Sequence, residues 1–201
     1  METRKRRAYA PRVPAGQRRA ELLDAALHLV ATQGQRAVTM DAVAERVGVT
    51  KPVVYGLFAS RTELLTALLS REHEQGLAQL MAILPERITD PGQVLADFLR
   101  VVLAAPDRWH CIVMPMADMP PEFHDAREHA RAVVLRRAEK LAGPLLRAVR
   151  APAGLAPDLV AQTVVALFEM AARLVLTDPE AYSPERFITA IRAVTGLVTG
   201  G

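Results

Sequence analysis

Residues 39–65 read TMDAVAERVGVTKPVVYGLFASRTELL, a stretch in which apolar residues recur at helical spacing on both sides of a glycine. Val43 and Val54 fall where two neighbouring helices would face a shared core. Gly48 separates a helix over residues 40–47 from a second helix, since glycine adopts the positive φ of a tight turn without steric cost. The pattern therefore predicts a helix-turn-helix.

Residues that cap helices flank this motif. Thr39 and Thr50 each precede a helical pattern, where a hydroxyl can accept a hydrogen bond from an unpaired backbone N–H group. Ser60 and Glu63 form a capping box that starts a further helix. Prolines and caps along the rest of the chain predict about nine helices in all, with no strand of useful length.

The segment GVTKPVVYGLFASRTELL, residues 48–65, resembles the signature of the tetracycline-repressor (TetR) family. The segment RRAELLDAALHLVATQG, residues 18–34, resembles the first helix of that family. The resemblance implies an all-α fold with an N-terminal three-helix helix-turn-helix domain and a C-terminal helical domain for ligand binding and dimerisation. It divides the chain into a basic arm over 1–16, a DNA-binding domain over 17–77 and an effector-binding and dimerisation domain over 78–201.

Composition and charge agree with a DNA-binding protein. The single cysteine excludes an internal disulfide framework, and no apolar stretch with a cleavage site begins the chain, so we expect a cytoplasmic protein. No segment approaches the roughly 20 uninterrupted apolar residues of a membrane span, so we expect no membrane partner. Residues 1–60 contain ten Lys or Arg against five Asp or Glu, whereas residues 61–201 contain fifteen against seventeen. The positive part carries the motif, as attraction to DNA phosphates requires.

The exposed start of the second helix of the motif, the recognition helix, should meet the edges of DNA bases. Lys51 can donate to guanine O6 and N7, and Val53 can lie against a thymine methyl group. Tyr55 resembles the phosphate-binding tyrosine of the family, although a core aromatic is the alternative. Phosphate contacts are predicted for Thr39, Thr50, Tyr55 and Arg61.

The recognition helix offers few other groups that could read bases, because Gly56 and Leu57 stand where relatives often carry long polar or aromatic side chains. Four consecutive cations near the start of the chain are candidate DNA contacts: Arg4, Lys5, Arg6 and Arg7. Two interpretations stay open for them. One is a solvated tail, and the other is an arm that enters the minor groove.

Aromatic and methionine residues in the second domain predict a pocket for an unidentified small-molecule effector, with no cofactor. Ordinary core packing is the alternative. The predicted wall residues are Phe98, Val102, Trp109, His110, Met114, Met116, Phe123 and Phe168. Glu169 and Arg173 lie one helical turn apart, which favours an intrahelical ion pair over a polar anchor for a ligand.

The last two helices are predicted to form a homodimer interface. Residues 159–176 are apolar nearly all round, and such a helix must be buried on more than one face. The resemblance implies that both helices pair with their symmetry mates in a four-helix bundle, whereas closing the core of their own subunit is the alternative. The predicted interface residues are Val164, Leu167, Phe187, Ile191, Val194 and Val198.

These features together predict a ligand-responsive transcriptional regulator, a repressor that binds a palindromic operator as a homodimer and is released by an effector. A constitutive DNA-organising protein is one alternative. A metal sensor is another, since one-turn pairs of candidate ligands occur among His124, Asp125, Glu128 and His129. An enzyme is not expected, because adjacent His110 and Cys111 point about 100° apart on a helix and no phosphate loop, nucleophile elbow or HExxH motif is present.

Overall fold

The computed structural model describes residues 14–114, 121–148 and 154–199. Over these ranges the chain forms nine α-helices and no strand, which confirms the all-α prediction. The helices are α1 (Ala15–Gln33), α2 (Met40–Val47), α3 (Lys51–Tyr55), α4 (Arg61–Ile83), α5 (Pro91–Ala104), α6 (Pro106–Val113), α7 (Pro121–Ala148), α8 (Pro157–Thr177) and α9 (Pro184–Thr199).

Local chemistry accounts for the ends of α2 and the start of α4. The Thr39 hydroxyl accepts a hydrogen bond from the Ala42 N–H at 3.1 Å, and Gly48 ends α2 with a φ of 72°. The Ser60 hydroxyl accepts from the Glu63 N–H at 3.1 Å. The Glu63 carboxylate in turn accepts from the N–H of Ala59 at 2.7 Å, which completes the capping box.

Thr50 departs from its predicted capping role. It occupies the N-cap position of α3, but its side chain makes no capping hydrogen bond. A cap normally binds the N–H of the second or third helical residue. Here the second residue is Pro52, which has no N–H, and the N–H of Val53 donates to the Thr50 carbonyl at 2.9 Å.

Two apolar cores lie along the chain, and α4 passes from one to the other. The first core is built by α1 to α4 and includes the fully buried Phe58, Leu64 and Leu68. The second core contains Leu80 near the end of α4 together with buried residues of α5, α6 and α8. The predicted boundary between residues 77 and 78 therefore falls inside α4 and stays a prediction.

Among the described residues, α8 is long and apolar enough to cross a membrane by length and composition, with a mean hydropathy of 1.8 over its most apolar window. This differs from the expectation that no segment would reach that level. The test is weak by itself, because core helices of water-soluble proteins also pass it. In this fold α8 packs against α5, α6 and α7.

Candidate functional site

The recognition helix α3 is anchored by one face and open on the other. Val54 is fully buried, whereas Val53 is 39% and Tyr55 is 47% exposed. Tyr55 is therefore not a core aromatic. Lys51, at the start of the helix and about one turn before Tyr55, is also exposed.

Lys51 already has an acidic partner in α2. Its Nζ atom donates to Asp41 Oδ2 at 2.8 Å, and both side chains are exposed. That hydrogen bond and the charge of Asp41 raise the pKa of Lys51, so the ammonium group stays charged at neutral pH. An exposed ion pair of this kind is worth little in water. Lys51 can therefore exchange Asp41 for a guanine edge at small cost.

The Arg61 side chain braces the turn that leads from α1 into α2. Its Nε atom donates to the Val38 carbonyl at 2.6 Å, and its Nη2 atom donates to the Gln35 carbonyl at 2.9 Å. These bonds hold the start of α2 against the start of α4. The phosphate contacts of Arg61 and Thr39 stay predictions, and residues 4–7 of the predicted arm lie outside the described residues.

Arg19 has a role that the sequence did not indicate. Its Nη1 atom donates to the Leu57 carbonyl at 3.1 Å. Its guanidinium carbon lies 4.3 Å from the ring centroid of Phe58, a cation–π contact. Arg19 thus ties α1 to the segment after α3. No local signal could have shown this, because the partners are 38 residues apart.

A cavity of about 190 Å³ opens between α4, α5, α6, α7 and α8. Three predicted wall residues, Phe98, Trp109 and Phe168, line it, and their rings contact one another with centroid separations of 5.1 and 5.2 Å. Most of the remaining wall is aliphatic. The arrangement is an apolar chamber with a small aromatic cluster.

Other predicted wall residues lie elsewhere. Val102 is fully buried in the second core, and His110 and Met114 are half-buried and do not line the cavity. The reason is helical geometry, since α6 turns Trp109, Ile112 and Val113 towards the cavity and its other residues away from it. Met116 and the side chain of Phe123 lie outside the described residues.

Five ionisable residues also line the cavity: His73, Arg127, Arg131, Glu169 and Arg173. The sequence had indicated only Glu169 and Arg173, as the alternative in which they anchor a ligand. Glu169 does not form the expected intrahelical pair, because its carboxylate lies 3.5 Å from Arg131 Nε of α7. Arg173 instead donates weakly to the Val113 carbonyl at 3.5 Å. Burial lowers the pKa of His73, whose Nδ1 atom lies 2.9 Å from the Leu69 carbonyl, so its ring is neutral at pH 7.

The helix α6 contributes residues to both apolar cores. Cys111 belongs to the first core, whereas Trp109 and Val113 belong to the second. Burial raises the pKa of the Cys111 thiol to about 12, so it stays protonated and is a poor nucleophile or metal ligand. A movement of α6 would therefore displace side chains in both cores.

A buried ion-pair cluster joins α6 to α4 and α1. Glu72 of α4 is fully buried and accepts from Arg71 Nε at 2.6 Å and from Arg108 Nε of α6 at 2.9 Å. Arg71 also pairs with Asp24 of α1 at 2.8 Å. Close packing adds to this link, because a Cβ atom at Gly76 would lie 2.5 Å from Ile112 Cδ1.

The apolar face of α8 is exposed in the isolated chain. Leu159 is 62%, Leu167 is 37% and Met170 is 44% exposed, and helical spacing puts the three on one side. Val164, a predicted interface residue, is at once partly exposed and part of the cavity wall.

The predicted interface on α9 needs correction at two positions. Phe187 and Ile191 pack against the second core of their own subunit, because α9 lies along α5. The side chains of Val194 and Val198 lie outside the described residues. Among the candidate metal ligands, Glu128 and His129 are exposed on α7, and no cluster of three or more such ligands occurs within the described ranges.

Residues 22–68 match the family model for bacterial regulatory proteins of the tetR family. The chain is 45% identical over 60 residues to the HTH-type transcriptional activator FasR of Mycolicibacterium smegmatis, which is 30% of this chain and 27% of FasR. It is 44% identical over 59 residues to the HTH-type transcriptional repressor KstR of Rhodococcus jostii, which is 29% of this chain and 28% of KstR. The match thus spans little more than a quarter of each curated relative.

Solved structures share the fold over nearly the whole chain. A protein from Pseudomonas aeruginosa PAO1 has a TM-score of 0.70 at 14% identity, covering 94% of both chains. The transcriptional regulator FadR from Bacillus subtilis, solved in complex with stearoyl-CoA, has a TM-score of 0.67 at 13% identity, covering 86% of this chain and 94% of FadR. At such low identities the likeness concerns the fold alone.

Proposed function

We propose that the chain is a bacterial regulatory protein of the tetR family, whose model residues 22–68 match, and that it binds double-stranded DNA and regulates transcription in the cytoplasm. The observation that carries the proposal is the geometry of α3. Val54 and Phe58 are fully buried, while Val53 and Tyr55 face solvent beside Lys51. A helix held in this way can enter the major groove with its first residues at the base edges.

The working unit is a homodimer on a palindromic operator. Exposed leucine and methionine side chains on one face of α8 support this, since contiguous apolar surface of this kind marks an interface. If two copies of α8 pack about a two-fold axis, each subunit contributes the same apolar patch to the interface. The same axis also gives two recognition helices, which reach successive major grooves when they lie about 34–36 Å apart.

Release from DNA is coupled to the cavity through α6. An effector in the cavity touches Trp109 and Ile112, and the same helix contributes Cys111 to the core of the DNA-binding domain. An effector that prefers a shifted α6 draws the population towards a conformation with wrongly spaced recognition helices. FadR of Bacillus subtilis, which has this fold, was solved in complex with stearoyl-CoA, and this supports the proposal that a ligand regulates this protein.

We assign repression as the mode of regulation, because release by an effector then frees the genes that the operator covers. One curated relative is named an activator and the other a repressor. A constitutive DNA-organising protein without an effector is the competing function. It predicts DNA binding with little sequence preference and no response to small molecules.

The test is selection of bound sequences from a random pool of double-stranded DNA. We expect a palindrome whose half-sites are centred about 10–10.5 base pairs apart, or a multiple of that spacing. Lys51→Ala should relax the preference at one position in each half-site, at a cost of about 1–3 kcal/mol per contact. Tyr55→Phe should weaken binding to all sequences alike, because a phosphate contact carries no base information.

Lys140→Ala is the matched control, since Lys140 is an exposed lysine on α7. Its preferred sequence and affinity should equal those of the unmodified protein. Recovery of unselected DNA without an enriched motif would favour the DNA-organising function. A uniform loss of affinity for Lys51→Ala would remove that residue from base reading.

A further inference from the structure

The described lining residues of the cavity carry more positive than negative charge. Arg127, Arg131 and Arg173 line it, and Glu169 is the one carboxylate among its described lining residues. His73 is the other ionisable group, and burial together with the charge of Arg127 holds its pKa below the ordinary value. At neutral pH the described lining residues therefore carry a net charge of +2, in a chamber that is otherwise mostly apolar.

The three guanidinium groups of this wall are weakly satisfied. Arg131 lies 3.5 Å from Glu169 and 3.4 Å from the Gln162 side-chain oxygen, and Arg173 lies 3.5 Å from the Val113 carbonyl. Good charge-assisted hydrogen bonds measure about 2.7–2.9 Å. No hydrogen bond or ion pair joins Arg127 to another residue that the structure describes.

The Glu72 cluster of the same protein is a useful contrast. There a buried carboxylate accepts from two arginines at 2.6 and 2.9 Å. Folding thus satisfies one arginine cluster fully and leaves the cavity cluster with loose contacts. Loosely bound guanidinium groups at an apolar chamber are available to an anion.

The charges gather at one end of the cavity. Along α7 the lining arginines 127 and 131 precede the apolar lining residues 134–142, whereas along α8 the apolar lining residues 160–168 precede Glu169 and Arg173. The contact between Arg131 and Glu169 brings the two charged segments together. The cavity therefore has a cationic end and an apolar end.

The volume of the chamber indicates how large an apolar group it can surround. Its volume is about 190 Å³, somewhat more than the 150 Å³ or so that accommodates benzene in an engineered protein cavity. This corresponds to an apolar body of about six to eight carbon atoms. Phe98, Trp109 and Phe168 surround that body with aromatic surface.

We propose that the effector is an apolar monocarboxylate of this size, whose carboxylate binds the arginines of α7 and α8 and competes with Glu169 for Arg131. The proposal rests on the assignment of the cavity as the effector site. A carboxylate matches the planar guanidinium in two parallel hydrogen bonds, and the apolar body of the ligand fills the apolar end of the chamber. A neutral or cationic ligand would leave the excess positive charge without a partner.

Calorimetric titration of the full-length protein with hexanoate, octanoate and decanoate tests this directly. The neutral and cationic comparison ligands are 1-octanol and octylamine. We expect octanoate to bind about 10- to 100-fold more tightly than 1-octanol, the factor that a charged hydrogen bond supplies. Octylamine should bind more weakly than either.

Two substitutions have opposite expected effects, so general damage to the fold cannot imitate both. Arg131→Gln should weaken octanoate binding but leave 1-octanol binding unchanged, because Arg127 and Arg173 stay in place, whereas Glu169→Gln should raise octanoate affinity because it removes the competing carboxylate. Arg136→Gln, an exposed arginine of α7 outside the cavity wall, should change nothing. The thermal midpoint of each variant verifies folding.

Equal affinities for octanoate and 1-octanol, or unchanged octanoate binding in Arg131→Gln, would overturn the proposal. Binding of each variant to the selected DNA is measured without ligand, so a failure here is separable from a failure of the proposed function. If DNA binding is intact while no carboxylate binds, the anionic effector is wrong and the regulator assignment stands. If octanoate binds through Arg131 and does not weaken DNA binding, the ligand class stands and the release mechanism is wrong.

Discussion

Gly76 marks a close approach of α4 to α6, and replacing it by alanine tests whether this contact links the cavity to the DNA-binding helices. The added Cβ atom would lie 2.5 Å from Ile112 Cδ1, and the ring of Trp109 is also near, at 3.9 Å. Ordinary carbon contacts measure about 3.5–4.0 Å. The end of the Ile112 side chain must therefore retreat by about 1 Å or more, or the two helices must separate.

Two opposing terms set the size of the effect on stability. Alanine improves the helix propensity of α4 by about 1 kcal/mol relative to glycine. Overpacking of a close contact costs about 1–3 kcal/mol. We expect Gly76→Ala to lower the free energy of unfolding by about 0–2 kcal/mol. Because the displaced group lies on α6, we also expect weaker binding to the selected DNA without any ligand.

Ile112→Val supplies the internal control, because it deletes the atom that clashes. Alone it should cost about 0.5–1.5 kcal/mol. In the double variant the alanine methyl group occupies the vacated space, so the combined cost should be smaller than the sum by about 0.5 kcal/mol or more. Urea unfolding and DNA titration of the four proteins measure both quantities. Additive costs, or unchanged DNA affinity in a destabilised Gly76→Ala protein, would refute the proposed link through α6.

Three further results are expected from the buried cluster, the α8 face and the buried histidine. Arg108→Met should lower the free energy of unfolding by about 1.5–3 kcal/mol in urea, because the fully buried Glu72 loses one charged partner; a loss below 0.5 kcal/mol or so would contradict this. Leu167→Glu should shift the dimer towards monomer in light scattering, whereas Leu103→Glu, at the same 37% exposure on α5, should not; equal behaviour would place the interface elsewhere. Burial lowers the pKa of His73, so the unfolded state takes up the proton first and stability should fall as pH drops through 6.5, a slope that His73→Leu should reduce. Identical slopes in urea titrations from pH 7.5 to pH 5 would show that His73 is not the group responsible.

The parts of the structure that were predictable depend on neighbouring residues. The bounds of α2 follow from the Thr39 cap and from the left-handed conformation of Gly48, and the start of α4 follows from the Ser60–Glu63 box. Each device acts within one helical turn, so the local sequence contains all of its parts. The same holds for α3, whose buried Val54 and exposed Tyr55 follow from helical periodicity.

The cavity was predicted only in part, because its wall comes from five helices that are distant in sequence. Aromatic residues pointed to Phe98, Trp109 and Phe168, but nothing local distinguished Val102, which is buried in the core, from a wall residue. Glu169 shows the same limit. The sequence suggested Arg173, one turn away on α8, as the partner of Glu169. In the structure Glu169 instead pairs with Arg131 of α7.

Local sequence thus determined the all-α fold class, the capped helices and the helix-turn-helix over residues 40–55, because hydrogen-bonding caps, glycine turns and apolar periodicity act over a few residues. Tertiary packing assigned partners to the charged residues. Glu72 is buried between Arg71 and Arg108 only once the chain has packed, because Arg108 lies 36 residues after Glu72. The same packing leaves the arginines of the cavity with long contacts. Burying a charged side chain costs free energy unless an oppositely charged or hydrogen-bonding group pairs with it. Which group pairs with it depends on how the helices pack.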